Sequence, residues 1–391
     1  MSIFDIYKNG AISILSRKRK KVKTATIPSR LLFTKVTSIA EFGFKDCTSL
    51  TEITIPDSVT SIGKGAFSGC SSLKSINIPD SVTSIGKFAF DGCSSLTSIT
   101  IPDSVTEIDL RAFNKCSSLK SITIPDSVVG RIYGLFYGCS SLEEVHIGKN
   151  IKALSYTYIE NTKQVTYYGC FEGCSSLKSI TIPDSVTSIE KDAFNDCVSL
   201  KSITIPDSVT SIGDRAFLWC TSLTEITIPD SVTSIGDSAF MNCASLTEIT
   251  IPDSVTSIGD SAFNCTSLTE ITIPDSVTSI GDSAFMSCSS LTEITIPDSV
   301  TYIGAWAFNG CSSLKSINIP NSVTSIGNGA FIYCSSLTSI TIPDSVTYIG
   351  ARAFDDCIAL DFIYINKKKG SLDLSQAEIP DVTKIYWIDD F

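Results

Sequence analysis

Histidine is nearly absent from this chain, and so are long apolar runs and the short motifs of catalytic sites. The 391 residues include one histidine, His146. No apolar stretch reaches the ~18 residues of a membrane span. G-x-S-x-G, H-E-x-x-H, C-x-x-C and a phosphate-binding glycine loop are all missing. Because catalysis needs different side chains converging on one point, these absences favour a protein that is not an enzyme and needs no cofactor or metal.

Basic charge is also scarce, with 30 Lys and Arg against 41 Asp and Glu and a net charge of −11. This balance disfavours nucleic acid and anionic membranes as partners, since both require a basic face. The basic run Arg17–Lys21 follows the short apolar run Ala11–Leu15 instead of preceding it, so the N-terminus does not resemble a secretory signal. We therefore slightly favour a cytoplasmic location, with secretion or the cell surface as the alternative. The basic run is either a solvated edge or a patch for nuclear import or anionic surfaces.

A repeat is what the sequence has in abundance. Phenylalanines recur every 23 residues from Phe44 to Phe136 and again from Phe171 to Phe263, and the series ends with Phe285, Phe308, Phe331 and Phe354. A cysteine follows most of them by three residues, and of 15 cysteines only Cys170 lies outside this rank. An odd number of cysteines at such spacing favours buried, reduced thiols over a disulfide framework.

Each repeat begins with a short strand. In the unit that starts at Phe67, alternation places Ile76 and Ile78 on one face and Ser75 and Asn77 on the other. Pro79 ends the strand because proline has no N–H for a central ladder. The strand therefore has an apolar inward face and a polar outward face.

The rest of the unit returns the chain to its starting point. Val82 and Ile85 point inward from a second extended segment, Gly86 permits a turn with positive φ, and Ala89–Cys93 suits a short helical or 3₁₀ turn. About eight apolar residues per unit face inward, and a single unit cannot bury them. Units must therefore stack, as in other repeat proteins.

The recurring pattern A-F-x-x-C-x-S-L-x-x-I-x-I-P-x-S-V-T-x-I-G resembles the BspA-like, Treponema-type leucine-rich repeat, over about residues 36–365. The resemblance implies a right-handed, β-rich solenoid with a parallel sheet on the inner face, short return strands and short helical or 3₁₀ turns. It also implies a surface or adhesion role, often with host matrix proteins or other cells as partners.

The repeats suggest five segments. We expect an N-terminal cap over 1–21, repeats over 22–147, an irregular segment over 148–168, repeats over 169–365 and a C-terminal cap over 366–391. Before the irregular segment Arg131 occupies an isoleucine position, and within the segment about twelve residues are inserted at roughly Ile151–Thr162. In the C-terminal cap, Ile379–Ile385 imitates the return segment, and Trp387 and Phe391 are expected to cover the last coil.

Candidate contact residues lie at outward positions. One strand position holds an acidic stripe of Glu225, Glu248, Glu270 and Glu293. Stacked carboxylates repel one another. Either a basic partner or a cation relieves this repulsion, or the residues at this surface position vary without constraint and counter-ions screen the repulsion. A second series of acidic residues, which includes Asp80, follows the strands. These side chains either complete the turns through hydrogen bonds or, less simply, bind calcium.

The irregular segment supplies further candidates. Tyr156, Tyr158 and Tyr167 cluster near it, and Glu144 and His146 occupy outward strand positions just before it. The segment is either a partner-binding protrusion or a tolerated loop insertion. We interpret His146 as an ordinary surface residue rather than a catalytic base.

Together these features predict a non-catalytic, protein-binding solenoid, adhesin-like or a scaffold, that presents a polar Ser/Thr/Glu face. Its partner would be a protein, basic or belonging to a host or matrix surface, while the oligomeric state stays open. The alternative is a structural surface whose regular threonines order water or ice.

Overall fold

The computed structural model describes residues 4–7, 9–14, 18–155, 157–161 and 164–388. These residues form strands and turns, and none of them lies in an α-helix. They divide into two compact units, Met1–Ser208 and Val209–Phe391. Within each unit the chain is a parallel β-solenoid, in which a typical coil contributes a front strand and a shorter return strand.

In unit 1 the front strands are parallel and in register, as in the pairs Ser75↔Ser98 and Ser121↔Glu144. Side chains alternate along them, so the central residue of each is buried and its neighbours are exposed. The front strands are Thr24–Thr26, Glu52–Thr54, Ser75–Asn77, Ser98–Thr100, Ser121–Thr123, Glu144–His146, Ser179–Thr181 and Ser202–Thr204.

The return strands of unit 1 form a second set and are also parallel, for example Ser61↔Ser84. They are Ala11–Ile14, Ser38–Ile39, Ser61–Ile62, Ser84–Ile85, Glu107–Ile108, Gly130–Tyr133, Ile151–Ser155 and Ser188–Ile189. Three further pieces are antiparallel: Phe4–Ile6 on Ala11–Ile14, and the hairpins Arg30–Leu31/Thr34–Lys35 and Thr157–Asn161/Gln164–Tyr168.

Unit 2 repeats this arrangement. Its front strands are Glu225–Thr227, Glu270–Thr272, Glu293–Thr295, Ser316–Asn318, Ser339–Ile342, Phe362–Ile365 and Lys384–Trp387. Its return strands are Ser211–Ile212, Ser234–Ile235, Ser257–Ile258, Ser279–Ile280, Tyr302–Ile303, Ser325–Ile326 and Tyr348–Ile349. The pairing again runs in register, as in Glu270↔Glu293.

The core consists of columns of identical residues. Phenylalanine rings stack with centroids 5.4 Å apart for Phe67 and Phe90 in unit 1, and 5.3 Å apart for Phe217 and Phe240 in unit 2. The inward positions of the coil, from Phe67 to Ala89, are buried as the repeat predicts. Stacking therefore gives each coil the burial that it cannot achieve alone.

The segment around each phenylalanine is a series of hydrogen-bonded turns, and the expected helical or 3₁₀ turn is wrong. The Cys70 N–H donates to Phe67 in its own coil, whereas the Phe67 N–H donates to Ala89 of the next coil at 2.7 Å. The residues two before and two after the ring have positive φ, here Gly65 at 56° and Gly69 at 73°. Since left-handed residues at this spacing interrupt any right-handed helix, the chain bonds to the next coil instead.

Gly86 does not have the positive φ that we expected. A Cβ at this position would lie 2.8 Å from the Lys64 nitrogen and 2.9 Å from the Gly63 carbonyl carbon. The coils approach each other too closely here for any side chain, which explains the glycine.

The cysteines are free, and those of the column are buried. Most thiols of the column donate to a phenylalanine carbonyl of the preceding coil, for example Cys93 to Phe67 at 3.2 Å. Cys265 is an exception, and its spacing of two residues after Phe263 marks it in the sequence. It sits at a left-handed turn position and is partly exposed. Thr266 is buried in its place and donates to Phe263 O at 2.9 Å.

The irregular coil of unit 1 keeps its core by a register shift. Arg131 does not take the inward isoleucine position, because the pairing shifts between Gly130 and Arg131. Ile132 is buried instead, while Arg131 is exposed and pairs with Glu190 at 2.6 Å. The insertion thus leaves the apolar column intact.

The extra residues lie later than the predicted insertion Ile151–Thr162. Ile151–Ser155 is a return strand that pairs with Gly130–Tyr133 and Ser188–Ile189. The antiparallel hairpin Thr157–Asn161/Gln164–Tyr168 follows it, and Thr162 itself lies outside the described residues.

The N-terminal segment closes the first coil of unit 1. Ile14 N–H donates to Gly43 O at 3.0 Å, and the Arg19 guanidinium donates to Lys45 O at 3.1 Å and Phe42 O at 3.0 Å. The Gly43 and Lys45 carbonyls have no preceding coil to bond to, so the segment satisfies them, while Phe42 O also accepts from Lys45 N–H. Arg17 lies outside the described residues.

At the other end of the chain, Lys384–Trp387 pairs with the front strand Phe362–Ile365. Our interpretation of Ile379–Ile385 as a return segment is therefore wrong. Trp387 is buried, and Phe391 lies outside the described residues.

Candidate functional site

The acidic stripe of unit 2 lies on the front face. In the strand Glu225–Thr227 the central Ile226 is buried and both neighbours are exposed, and the other strands of the stripe follow the same alternation. Because the isoleucines must face the core, the glutamates next to them in each strand must lie on the opposite, exposed side.

These glutamates line one pocket of about 710 Å³. The threonine rank lies two residues further along each strand and lines it as well. The polar lining residues are Glu225, Thr227, Glu248, Thr250, Glu270, Thr272, Glu293 and Thr295. The pocket therefore offers carboxylates and hydroxyl groups in alternating rows.

The carboxylates of the pocket have no cationic partner. Glu270 and Glu293 are direct neighbours in the parallel pairing. No ion pair involves any of the four glutamates within the described parts of the chain. Because like charges directly opposite each other on a sheet are destabilising, these carboxylates repel one another without compensation.

The residue before each glutamate explains this lack of compensation, and our reading of the sequence missed it. In the pocket coils that residue is a threonine, in the pattern S-L-T-E-I-T. In other coils a lysine precedes a serine instead, as in Lys74-Ser75 and Lys120-Ser121. The signal was present in the sequence, but it appears only when neighbouring outward positions are compared together.

Glu144 and His146 lie on the front face of unit 1. They flank the buried Val145, in a strand between Ser121–Thr123 and Ser179–Thr181. No described residue forms a hydrogen bond with the His146 ring, and its direct neighbours in the strand pairing are Thr123 and Thr181. Cys139 is buried, and that burial raises the pKa of its thiol to about 12.

Two acidic groups near His146 are paired, in contrast to those of the pocket. Lys149 lies 2.7 Å from Asp126, and its hydrogen bond lowers the pKa of that carboxyl. Lys178 lies 2.6 Å from Glu143 and lowers the pKa of Glu143 in the same way. These two carboxylates are therefore neutralised by lysines of other coils.

The tyrosines of the irregular segment fall on the inserted hairpin. Tyr158 and Tyr167 are direct partners in its antiparallel pairing. Tyr156 lies outside the described residues. The predicted contact residues thus lie in three places: Glu144 and His146 on the front face of unit 1, Tyr158 and Tyr167 on the hairpin after a return strand, and the four glutamates in unit 2.

An aromatic cluster in unit 2 was also missed. Phe362, Tyr364 and Tyr386 occupy outward positions of the last two front strands, with Tyr364 and Tyr386 centroids 5.6 Å apart. Lys384 lies 6.0 Å from the Phe362 ring. Leu360–Ile365 shows the repeat pattern with aromatic residues at positions that are polar elsewhere, and this is the signal that could have revealed the cluster.

The second acidic rank does not complete its turns as expected. Within the described residues Asp80 is exposed, with no side-chain hydrogen bond. Its neighbour Ser81 donates to Val59 of the preceding coil at 2.6 Å instead. In the described part of the chain, no three His, Cys, Asp or Glu side chains are placed to hold a metal ion. The same residues include no helix with the length and hydropathy to cross a bilayer.

Comparison with known proteins gives two kinds of likeness. The profile of the BspA type leucine-rich repeat region matches residues 37–166, 155–266 and 256–375. A leucine-rich repeat protein from Bacteroides ovatus has 34% identity and a TM-score of 0.86, with 99% of each chain covered. A leucine-rich cell surface protein from Faecalibacterium prausnitzii has 32% identity and a TM-score of 0.54, with 94% of each chain covered. No curated protein matches the sequence significantly.

Proposed function

Since this chain belongs to the BspA-type leucine-rich repeat family, we propose that it is a non-catalytic binding protein whose acidic pocket holds a basic segment of another protein. The observation that carries the proposal is the row of unpaired glutamates around a pocket of about 710 Å³. Lysine or arginine side chains entering it would relieve the mutual repulsion of the carboxylates.

The geometry suits an extended segment. Successive coils place a carboxylate at every strand spacing of ~4.8 Å, and the threonine row runs parallel to it. An extended chain rises ~3.3 Å per residue and presents every second side chain to one face. Several basic side chains of one segment can therefore reach different glutamates at once.

A role at the cell surface, adhesin-like, is the form of this function that we favour over an internal scaffold. Its support is the likeness to the F. prausnitzii protein, which is described as a leucine-rich cell surface protein. Glu144, His146 and the hairpin that carries Tyr158 and Tyr167 are proposed as a second contact region, in unit 1. A water-ordering surface is not supported, because the row beside these threonines carries charged glutamates and not a second row of threonines.

The test measures binding of a fluorescent oligolysine peptide by anisotropy at low salt. A variant with Gln at Glu225, Glu248, Glu270 and Glu293 should bind at least about fourfold more weakly, because it loses four exposed ion pairs that contribute ~0.2–1 kcal/mol each. Affinity of the unaltered protein should fall as salt rises.

The matched control removes four exposed carboxylates of unit 1 by changing Asp80, Asp103, Asp184 and Asp207 to Asn. It has the same net charge as the pocket variant and should retain the affinity of the original protein. Equal binding by the pocket variant and the original protein would refute the proposal, as would an equal loss in the control.

A further inference from the structure

The first coil of unit 1 carries an inserted hairpin where the next coil has a short turn. In the second coil, the buried Val59 follows the buried Ile55 by four residues. In the first coil, Val36 follows Ile27 by nine, and both are again buried. The extra residues lie in the antiparallel hairpin of residues 30–35. The core does not need this insertion, since the apolar positions on both sides of it are kept.

Two large apolar side chains form the tip of the 30–35 hairpin. Leu32 is 84% exposed and Phe33 is 97% exposed, the highest values among the large hydrophobic residues that the structure describes. Leu32 also has a φ of 56°, in a two-residue loop of the kind that usually carries Gly, Asn or Asp. Neither burial nor turn geometry explains an apolar tip. Exposed apolar groups of this kind mark contacts with proteins or membranes.

Positive charge is concentrated in the same coil. Residues 18–40 include seven Lys and Arg and no Asp or Glu, while the rest of the chain has 23 basic residues against 41 acidic ones. Exposed lysines precede the first front strand, Thr24–Thr26, and the hairpin follows that strand. The net charge of −11 thus conceals a basic cluster in the first coil.

Most of these basic side chains have no role inside the fold. Arg19 is the exception, since its guanidinium bonds to carbonyl groups. The others are exposed and form no ion pair within the described residues: Lys18, Lys20, Lys21, Lys23, Arg30 and Lys35. Uncompensated cations of this number attract a surface that bears anionic headgroups.

The hairpin holds two of the cations at a set distance from its apolar tip. Arg30 and Lys35 are direct partners in the antiparallel pairing, so their side chains leave the same face. Each lies two residues from a tip residue, which is ~6.6 Å along an extended strand. Apolar groups of peripheral proteins enter ~5–10 Å into the boundary between headgroups and acyl chains, so cations at this distance reach the headgroup phosphates. A nucleic acid would match the charges but has no apolar layer for the tip.

We propose that the 30–35 hairpin and the exposed lysines of residues 18–23 are a docking surface for an anionic lipid bilayer. Leu32 and Phe33 enter the bilayer while the cations contact its headgroups. Stable peripheral binding needs two signals, and an apolar insertion together with a polybasic patch supplies both. This surface shares no residue with the acidic pocket of unit 2, so its test is independent of the function proposed for that pocket.

The test is sedimentation of the full chain with lipid vesicles. The protein should bind vesicles of phosphatidylcholine and phosphatidylserine, and it should bind pure phosphatidylcholine vesicles at least about tenfold more weakly. Binding to the anionic vesicles should fall as salt rises. Equal binding to both kinds of vesicle, or binding to neither, would overturn the proposal.

A double variant of the tip tests the apolar part. Leu32→Ser with Phe33→Ser should weaken binding to the anionic vesicles at least about tenfold, because both inserted side chains are lost. The control, Ile358→Ser with Val382→Ser, changes residues of unit 2 that are 71% and 70% exposed and should bind like the unaltered protein. An equal loss in both variants, or no loss in the tip variant, would contradict insertion.

A second double variant tests the charged part. Arg30→Gln with Lys35→Gln should weaken binding at least about fivefold, since each cation near an anionic surface contributes about that factor. Lys120→Gln with Lys315→Gln has the same net charge, changes exposed lysines of other coils and should leave binding unchanged. Equal losses would show that net charge, and not the first coil, is responsible. Thermal unfolding checks that each variant is folded.

The substitution Phe33→Trp reports on depth directly. The natural tryptophans, Trp219, Trp306 and Trp387, all lie in unit 2. Lipids brominated in their acyl chains should therefore quench the fluorescence of this variant more than that of the unaltered protein. Equal quenching of the two proteins would refute insertion of the tip.

Heparin serves as a soluble polyanion that lacks an apolar layer. It should compete with the anionic vesicles for the lysines, but its own affinity should not change in the tip variant. If the protein binds heparin and fails to bind vesicles, the basic cluster recognises a soluble polyanion and the bilayer proposal is wrong.

Discussion

The front faces of the two units differ although their interiors are alike. Several coils of unit 1 place lysine beside serine, as in Lys74-Ser75 and Lys120-Ser121, whereas four coils of unit 2 place threonine beside glutamate around the pocket. Rings stack at nearly the same distances in both units. The comparison teaches that the repeat constrains only inward positions, so the outward ones are free to acquire a charge pattern and a partner.

The two front faces also differ in whether their carboxylates are paired with lysines. Near His146, Glu143 and Asp126 each have a lysine within 2.7 Å. The pocket glutamates have none among the described residues. Since surface ion pairs contribute little stability, the arrangement in unit 2 costs the fold little and leaves negative potential for binding.

The largest expected effect tests whether the interiors really are equivalent. Phe90→Ala in unit 1 and Phe240→Ala in unit 2 should each lower the free energy of unfolding by about 3–5 kcal/mol, because each ring is fully buried between two others. Urea unfolding followed by circular dichroism measures both. Costs that differ by more than ~2 kcal/mol would show that the columns are not interchangeable.

A smaller effect tests the left-handed turn positions. Gly92 in unit 1 has φ 69°, and Asn242 occupies the same place in unit 2 with φ 60°. Gly92→Ala should destabilise the protein by about 1–2 kcal/mol, since a Cβ there meets only Gly69 atoms at 3.9 Å and the cost is backbone strain alone. Asn242→Gly should stabilise it by up to about 1 kcal/mol. Chemical denaturation measures both, and a stabilising Gly92→Ala would contradict the turn geometry.

The smallest expected effect concerns the front faces themselves. Glu270→Gln should raise the free energy of unfolding by roughly 0.2–1 kcal/mol at low salt, because it removes repulsion from Glu293. Glu144→Gln is the control, since its neighbours are Ser121 and Ser179. The gain should vanish at high salt. A gain of equal size for Glu144→Gln would mean that strand propensity, not charge, is responsible.

Much of the fold follows from the repeat, and the departures have physical causes. The spacing of Phe67 and Phe90 predicts stacked rings, and they are stacked. It does not predict left-handed turns, because residues as different as Trp219 and Asn242 adopt them. Hydrogen bonds to the next coil compensate the strain there, and sequence spacing carries no information about such bonds.

The candidate site was predictable only in part. The stripe of glutamates is visible in the sequence, and so are the positions of Glu144 and His146. The pairing of the nearby carboxylates is not visible in the sequence, because the lysines that pair with Glu143 and Asp126 come from other coils. The inserted hairpin likewise became apparent only when Ile151–Ser155 was found paired as a return strand.

The sequence by itself determined the period, the inward side of most strands and the identity of most buried columns, since burial imposes one residue type at one spacing. Only the tertiary structure decided which outward groups face one another. It placed four glutamates around one pocket, substituted Thr266 for Cys265 in the column and brought Arg19 to the first coil. The physical reason is that these relations join residues a full coil or more apart, where stacking rather than local preference sets the distances.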